Sequence, residues 1–436
     1  MGARATLPAI SSTPALRGAV PSMHPYTSAR AAPGISPDGW IGAAMTSIPT
    51  IICGTSALAF WRTPPALRDV QLSASCLDEL KPRFHPRANT APEAMAVVDA
   101  LAGPLKGVAV PVHVLGADGR RSSSPYVIWH TSAREPAKSQ LVQIGDDLYV
   151  TSPELTLLHL AHRRSFAATL QLAYEFCGLY STLPLTSRLL EALMLLEEEG
   201  ELPSTSTALA AFYDAQGSPR TPCPGFGPWE IGRKPDGSFD DLWRRPPLTT
   251  PQSLLELAEA LQDGNGVRTL RAASRAVLPG SGSPLETEFC ILAFTSKRRG
   301  GAGLPAPLLN RAIELPPEVA RTVRMTCVVP DCSWTSEKTL PQSSLPLLPF
   351  CLELEGLAYH SGEAVAADAQ RRTALQRLGI DTIAVTRRQL LDDDRWLLLL
   401  DVLSERLGVP AQMKPSDRHQ RQRTRLREEL FAQRRD

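Results

Sequence analysis

The residue types best suited to chemistry lie in one short segment near the C-terminal end of the chain, between Phe350 and His360. Within it, Glu353 and Glu355 alternate with leucines. Successive side chains of a β-strand point to opposite faces, so a strand here places both carboxylates on one face. Two adjacent negative charges are costly unless a positive charge neutralises them, and a divalent cation is the natural candidate. The segment therefore predicts a metal-dependent active site.

A third carboxylate precedes this segment. Asp331 lies 22 residues before Glu353 and 24 before Glu355, at the beginning or end of another predicted strand. If the two strands are neighbours in a sheet, the three carboxylates converge. Hard oxygen ligands suit Mg²⁺ or Mn²⁺, which polarise a phosphodiester and lower the pKa of a bound water. Such a metal can support hydrolysis of a phosphodiester bond without a covalent enzyme intermediate.

The elements that would position these carboxylates are predicted between residues 284 and 408, in the order α-β-β-β-α-β-α. Ser283 and Glu286 have the spacing of a capping box, and Pro284 suits the first position of the helix that follows. Gly379 ends a later helix, ahead of a buried strand. We expect a helix at about 284–296, strands at 311–315, 325–329 and 347–355, a helix at 363–378, a strand at 380–385 and a helix at about 387–406.

The residues in this order resemble the PD-(D/E)XK nuclease superfamily, most closely the small endonuclease-like domains related to very-short-patch-repair nucleases. Those domains carry an Asp, then a Glu-x-Asp-Gly segment and a His, then a helix with an Asp and an Arg. The resemblance covers about residues 284–405. The residues that carry it here are, in chain order, Asp331, Glu353, Glu355, Gly356, His360, Asp368, Arg371 and Arg372.

The resemblance implies a fold, an activity and a metal. The fold is a mixed α/β protein with a restriction-endonuclease-like α-β-β-β-α-β core, and the activity is hydrolysis of DNA that depends on Mg²⁺ or Mn²⁺. The implied metal ligands are the carboxylates of Asp331, Glu353 and Glu355 and the backbone carbonyl of Leu354.

The resemblance also implies helper residues around the metal. The lysine of the superfamily is absent, because Glu355 occupies its place. His360 and either Arg371 or Arg372 would then orient water or stabilise the charge that develops on the phosphate. Glu286 is either an accessory carboxylate or only the capping residue of its helix, and its spacing favours the capping role.

Two other functions remain compatible with the same residues. A nuclease fold without cleavage would serve DNA binding or toxin–antitoxin regulation, and an active domain would act on RNA instead of DNA. DNA is the expected partner, no membrane partner is expected, and the oligomeric state stays open.

The rest of the chain divides by composition and patterning. The first 45 residues are rich in Ala, Ser, Thr and Pro, a composition that cannot bury a core, and Met45 precedes the first well-patterned segment. Residues 150–161 and the strands before them are similar to AbiEi-type antitoxins, which pair such segments with a nuclease-like C-terminus. We predict a disordered or upstream extension at 1–45, a mixed α/β domain at 46–200, a linker with connector helices at 201–283, the endonuclease-like domain at 284–408 and a basic helix at 409–436.

Bulk composition is that of an ordinary globular protein, with 43% hydrophobic and 21% charged residues. The net charge is only +1, so a nucleic-acid partner requires a local basic patch. No run of about 18 apolar residues predicts a membrane span. The eight cysteines are scattered without a Cys-x-x-Cys pair, so we interpret Cys327 and Cys332 as reduced core thiols and expect a cytosolic, cytoplasmic protein.

Two weaker signals leave alternatives open. Arg418, Arg421, Arg425 and Arg427 recur at helical spacing, which is typical of a solvated helix and also fits a helix that contacts phosphates. His159 and His162 lie three residues apart on a Leu-rich predicted helix, where core packing is favoured over a metal site.

Overall fold

The computed structural model describes twelve stretches of the chain. At residues 362–367 the description covers the backbone and not the side chains. All of these stretches fall within one compact unit, Met45–Asp436. The predictions for residues 1–45, Gly356 and His360 lie outside the described residues. The stretches are 49–70, 72, 97, 99–116, 127–132, 135–183, 185–202, 229–234, 236–335, 349–355, 362–410 and 416–431.

The described residues form thirteen strands and thirteen α-helices, as a mixed α/β protein. The strands are β1 (Thr50–Ile52), β2 (Val112–Gly116), β3 (Val127–Thr131), β4 (Leu141–Gly145), β5 (Leu148–Thr151), β6 (Tyr180–Thr182), β7 (Leu242–Arg244), β8 (Leu308–Leu309), β9 (Ile313–Glu314), β10 (Cys327–Val328), β11 (Cys332–Trp334), β12 (Phe350–Glu355) and β13 (Asp381–Thr386). The helices are α1 (Gly54–Arg62), α2 (Pro65–Asp69), α3 (Pro153–Ala161), α4 (Phe166–Phe176), α5 (Ser187–Glu198), α6 (Pro251–Ala260), α7 (Val267–Ser274), α8 (Pro284–Phe294), α9 (Pro317–Val323), α10 (Gly362–Arg377), α11 (Arg387–Leu391), α12 (Asp393–Arg406) and α13 (Asp417–Phe431).

The N-terminal part contains a five-stranded sheet with strand order β3-β2-β1-β5-β4. Its inward-facing side chains, among them Ile52, Val114 and Val150, are fully buried and form a core of their own with Phe60 of α1. Ser152 caps α3, because its hydroxyl accepts a hydrogen bond from Leu155 N at 3.3 Å. This part of the chain is therefore mixed α/β, as predicted.

A layer of helices connects this sheet to the C-terminal part. Helices α6 and α7 are the connector helices predicted within residues 201–283, and they pack with α3 and α4. The chain just after α4 lies against the segment before α8, since Leu179 N donates to Ser281 O at 2.7 Å. A Cβ on Gly178 would lie 2.7 Å from Ser281 O, so only glycine permits this approach. This contact lies two residues before Ser283, the N-cap of α8.

The C-terminal sheet has strand order β13-β12-β11-β8. Strand β12, predicted as the carboxylate-bearing strand, lies between β11, which is antiparallel, and β13, which is parallel. Phe350 and Leu352 of β12 belong to the main core, whereas Cys351 packs on the other side with Ala374 and Leu375 of α10. The opposite orientation of successive side chains thus holds as the sequence predicts.

The strands before β12 differ from the prediction. The predicted strands at 311–315 and 325–329 shorten to β9 and β10, which form a two-stranded sheet and have α9 between them. The neighbour of β12 is instead β11, which follows the predicted strand at 325–329 and begins just after Asp331. Pro330 has no N–H to donate to a ladder, so the chain cannot continue as one strand from β10 to β11. Asn310, with a φ of 46°, likewise separates β8 from β9.

The last predicted helix, at about 387–406, is two helices. Asp392 has an extended backbone conformation, and its carboxylate accepts a hydrogen bond from Arg395 N at 3.0 Å. It therefore acts as the N-cap of α12 and separates that helix from α11. The basic C-terminal segment is helical, as α13.

The main apolar core contains residues from both sides of residue 283, where the sequence predicts a domain boundary. It contains Phe176 of α4, Leu270 of α7, Phe289 of α8 and Trp334 of β11, all fully buried. The indole of Trp334 stacks on Phe350 with ring centroids 4.7 Å apart. The division of the chain into domains at residue 283 stays a prediction, and packing across that position is continuous.

Two simpler expectations concern the cysteines and the membrane. Both Cys327 and Cys332 are buried free thiols, as predicted, and so are the other four cysteines in the described part of the chain. Within the described residues, no helix has the length and apolar content to cross a membrane.

Candidate active site

Strand pairing brings two of the predicted carboxylates together. Cys332 of β11 pairs with Leu352 of β12 in antiparallel register, so Asp331, one residue before β11, lies opposite Glu353. One Asp331 carboxylate oxygen accepts a hydrogen bond from Leu354 N at 2.6 Å, which fixes the carboxylate at the end of the ladder. The expected convergence therefore holds for Asp331 and Glu353, through β11 and not through the predicted strand at 325–329. The backbone carbonyl of Leu354 was predicted as a metal ligand. In the structure, the backbone N–H of Leu354 is the group that bonds Asp331.

Glu286 lies on the first turn of α8 and is 3% exposed. The predicted capping box forms only in part. Ser283 does accept a hydrogen bond from Glu286 N at 3.2 Å, but the Glu286 carboxylate accepts from Gly282 N and from Asn310 Nδ2, both at 2.6 Å. Asn310 N also donates to Asp331 O at 3.1 Å, so Asn310 links the two acidic residues. The Glu286 carboxylate therefore bonds Gly282 and Asn310 instead of the Ser283 N–H, and an accessory role for it stays a prediction.

Glu286, Asp331 and Glu353 form a row, which we call the acidic row, with Asp331 in the middle. Burial raises the pKa of Asp331 to about 6, although the hydrogen bond from Leu354 N acts in the opposite direction and lowers it. Burial, then the negative charge of Asp331, raise the pKa of Glu286 to about 8. Burial and the same charge raise the pKa of Glu353 to about 7. Because Asp331 affects both neighbours, the three carboxylates are electrostatically one group.

Two arginines of α10 lie near the Glu353 end of the acidic row, and their positive charges lower the pKa of Glu353. Arg371 lies 3.9 Å from Glu353 and 2.6 Å from Asp368, and its charge lowers the pKa of Asp331 and of Glu353. Arg372 bonds Glu355 at 2.9 Å. The ion pair within α10 is therefore the one between Asp368 and Arg371. Both predicted arginines lie at the site, each already paired with a carboxylate.

A third arginine, Arg244 of β7, was missed by sequence reasoning. Burial lowers its pKa, whereas the charges of Glu230, Glu286 and Asp331 raise it, which places it near the buried end of the acidic row. Its guanidinium lies 3.8 Å from Glu230. The region around it had been interpreted as linker because of its Pro and Gly content. A detectable signal was the strand-like run Leu242-Trp243-Arg244, in which Trp243 is fully buried.

The donor chemistry of the row fits a hard divalent cation. Asp331 and Glu353 offer partly buried oxygens whose mutual repulsion a cation would relieve, and Glu286 adjoins them. Glu355 departs from this pattern because Arg372 holds it. Among the described residues, no group of three or more His, Cys, Asp or Glu side chains converges in the geometry of a metal site. Asp331 and Glu353 are the residues that would hold the ion.

The core prediction for the two histidines holds only in part, because His159 is half-buried whereas His162 is exposed. Burial, then the charge of His130, lower the pKa of His159 to about 4. A feature not predicted is the contact between His113 Nδ1 and His130 Nε2, which are 2.7 Å apart in stacked rings.

Comparison of the chain with protein-family models, with curated proteins and with solved structures gives no match. The nuclease and antitoxin resemblances therefore stay predictions, and the acidic row is the feature of this chain that bears on its function.

Proposed function

We propose that the protein is a metal-dependent endonuclease-like enzyme that hydrolyses DNA phosphodiester bonds through a carboxylate-bound Mg²⁺ or Mn²⁺. The observation that supports it best is the acidic row, in which the strand register places Asp331 opposite Glu353 and the charge of Asp331 raises the pKa of both Glu286 and Glu353. Retaining buried carboxylates that repel each other costs stability, and it is typical of functional sites.

In this proposal, each residue of the site has a definite task. Asp331 and Glu353 hold the cation, which when bound polarises the phosphate and acidifies a water. Arg371, 3.9 Å from Glu353, stabilises the charge that develops on the phosphate. Glu286, held by two hydrogen bonds and with its pKa raised to about 8, stores a proton beside Asp331. Leu354, through its carbonyl, and His360 remain the predicted additional ligand and helper.

A specific observation favours a second candidate, a nuclease fold that binds DNA or regulates a toxin–antitoxin pair without cleavage. Glu355 stands where the superfamily has its lysine, and it is bonded to Arg372 at 2.9 Å. Arg372 and Glu355 therefore neutralise each other, and the position supplies no free cation to the phosphate. The buried free cysteines support a cytosolic location for either function.

Cleavage of plasmid DNA with Mg²⁺ or Mn²⁺ tests the proposal, with the wild type compared to Asp331→Asn. We expect the variant to lose at least about a hundredfold in rate, because an amide cannot supply the negative charge that holds the cation. The asparagine oxygen can still accept the hydrogen bond from Leu354 N, so the fold should persist.

The matched control is Asp394→Asn, which removes the same charge from an exposed position on α12. This control should cleave like the wild type. Equal cleavage by wild type and Asp331→Asn would contradict the proposal, and metal-independent DNA binding without any cleavage would favour the second candidate.

A further inference from the structure

A groove of about 410 Å³ lies where α7 meets the chain that leaves α8. Within the described part of the chain, every charged residue that lines it is an arginine, and we call it the arginine groove. The hydroxyl residues Thr295 and Ser296 and the ring of Phe294 complete one wall. The four arginines are Arg268, Arg271, Arg275 and Arg299.

Helix α7 places three of these arginines on one face. Arg268, Arg271 and Arg275 follow each other at spacings of three and four residues, whereas Leu270 and Ala273 are fully buried on the opposite side. Like charges at these spacings destabilise a helix by a few tenths of a kcal/mol per pair, about as much as an opposite pair stabilises it. A bound anion would remove this repulsion.

The guanidinium groups differ in how firmly they are held. Arg271 donates from one nitrogen to Ala258 O at 2.7 Å and to Gln262 O at 2.8 Å. Arg299 lies over the ring of Phe166, 3.9 Å from its centroid. These two arginines are therefore oriented before any ligand arrives, which reduces the entropy lost on binding.

The other two arginines are exposed and less constrained. Arg275 makes an ion pair of 3.3 Å with Glu259, in which both side chains are more than half exposed, so the pair contributes little. Arg268 has no hydrogen-bond or ion-pair partner among the residues that the structure describes. The groove thus has two oriented donors and two donors that are available to a ligand.

The length of the groove indicates a polymeric anion. Arg268 and Arg275 are seven residues apart, which is about 10 Å along the axis of α7. One strand of a nucleic-acid duplex carries a phosphate about every 3.4 Å of axis, so this face matches about three successive phosphates. A single phosphate would engage one or two of the four guanidiniums, each of which offers a planar fork of donors.

The groove and the acidic row lie at opposite ends of α8. Glu286 is in its first turn and Phe294 is its last residue, so the two sites are about 12 Å apart along the helix axis. A nucleic-acid backbone easily spans this distance.

We propose that the arginine groove binds the phosphodiester backbone of a nucleic acid. This inference deepens the proposed function and rests on it, since it names the part of the molecule that holds the substrate outside the acidic row. The groove contributes affinity through phosphate contacts and does not read the base sequence.

The test is fluorescence anisotropy of a labelled DNA duplex with the full chain in EDTA, at several NaCl concentrations. The variant is Arg268→Gln with Arg275→Gln, because both side chains are exposed and their loss leaves the core intact. We expect the slope of log K against log salt to become shallower by about 1.8, since each lost phosphate contact removes about 0.9. The matched control, Arg321→Gln with Arg395→Gln, removes two exposed arginines outside the groove and should keep the wild-type slope.

Each outcome is decisive for the groove. A slope in the groove variant equal to that of the wild type, or no binding by the wild type, would overturn the inference. Displacement of the duplex by polyglutamate as effectively as by unlabelled DNA would overturn it in favour of an acidic polypeptide. If DNA binding depends on the groove arginines but no DNA is cleaved, the arginine groove is upheld and the proposed enzyme is contradicted. If DNA cleavage needs Asp331 but not the groove arginines, the proposed enzyme is upheld and the arginine groove is contradicted.

Discussion

At the scale of single residues, Asp331 is the position on which the acidic row depends. It bonds Leu354 N, its backbone carbonyl accepts from Asn310 N, and its charge raises the pKa of Glu286 and Glu353. Asn310 is equally central, because its side chain bonds Glu286 and its positive φ ends β8. No short-range rule marks Asn310 as part of the site, since its partners are 21 and 24 residues away.

The raised pKa values predict a loss of stability as pH increases. Carboxylates with raised pKa values bind protons more tightly in the folded protein than in the unfolded chain. The stability that these protons contribute is therefore present at low pH and decreases as the pH rises to about 8, the pKa of Glu286. We expect the free energy of unfolding of the metal-free protein to fall by at least about 1 kcal/mol between about pH 5 and pH 8. Urea denaturation in EDTA at both pH values measures this difference.

Glu286→Gln should flatten that pH dependence, because the amide does not titrate and can still accept the hydrogen bonds from Gly282 N and Asn310 Nδ2. Glu256→Gln on the exposed face of α6 is the control and should retain the wild-type dependence. An unchanged pH dependence in Glu286→Gln would show that this carboxylate is not the buried acid described above.

At the scale of elements, α13 shows how one helix combines two environments. Arg418, Arg421 and Arg425 are exposed, as the helical spacing predicted, but Arg427 is buried beside Leu426 and Leu430. The expectation of a uniformly solvated row of arginines is therefore wrong at Arg427. The helix packs on the turn that leads into the arginine groove, and phosphate contact by its exposed arginines remains a prediction.

Arg427→Ala should destabilise the protein by about 1–3 kcal/mol, because Arg427 bonds Asp393 at 2.7 Å and Leu390 O at 2.6 Å from a buried position. Arg425→Ala, two residues away, should cost no more than about 0.5 kcal/mol, since Arg425 is 79% exposed in its pair with Glu429. Chemical denaturation of both variants measures the contrast. Equal losses would mean that α13 does not dock through Arg427.

At the scale of the whole molecule, the C-terminal sheet shares its core with the helices that precede it. The hydroxyl of Tyr180 bonds Thr287 on α8 at 2.9 Å, and Phe289 of α8 lies in the same core as Phe176 of α4. Arg62 of α1 forms a two-point ion pair with Glu175 of α4, with bonds of 2.7 and 2.6 Å. These contacts join the N-terminal sheet, the helices and the acidic row into one packed unit.

Residues 284–436 expressed alone should therefore not fold stably, although the sequence suggests a separate domain. Without α4, the apolar surface of α8 would face water, and each large side chain so exposed costs about 1.5–3 kcal/mol. Circular dichroism during thermal unfolding should show no cooperative transition in the fragment. A cooperative transition close to that of the full chain would support the domain boundary at residue 283 instead.

The elements predictable from sequence were those governed by local rules. The caps at Ser152 and Ser283, the helices α6 and α7 and the strand β12 follow from patterns a few residues long. The errors concern β9, β10 and β11, where the choice of partner strand depends on contacts far along the chain. Pairing partners compete across the whole sheet, and no short window of sequence contains that information.

The sequence by itself determined which residues of the site are acidic, that Glu353 and Glu355 share a strand, and that Asp331 precedes a neighbouring segment. Only the tertiary structure decided which of these acids act together. In the folded protein, Glu286 belongs to the acidic row, Glu355 is paired with Arg372, and Arg244 lies near the buried carboxylates. The physical reason is that side-chain alternation and helix caps depend on local backbone geometry, whereas burial and charge proximity depend on segments that meet only after folding.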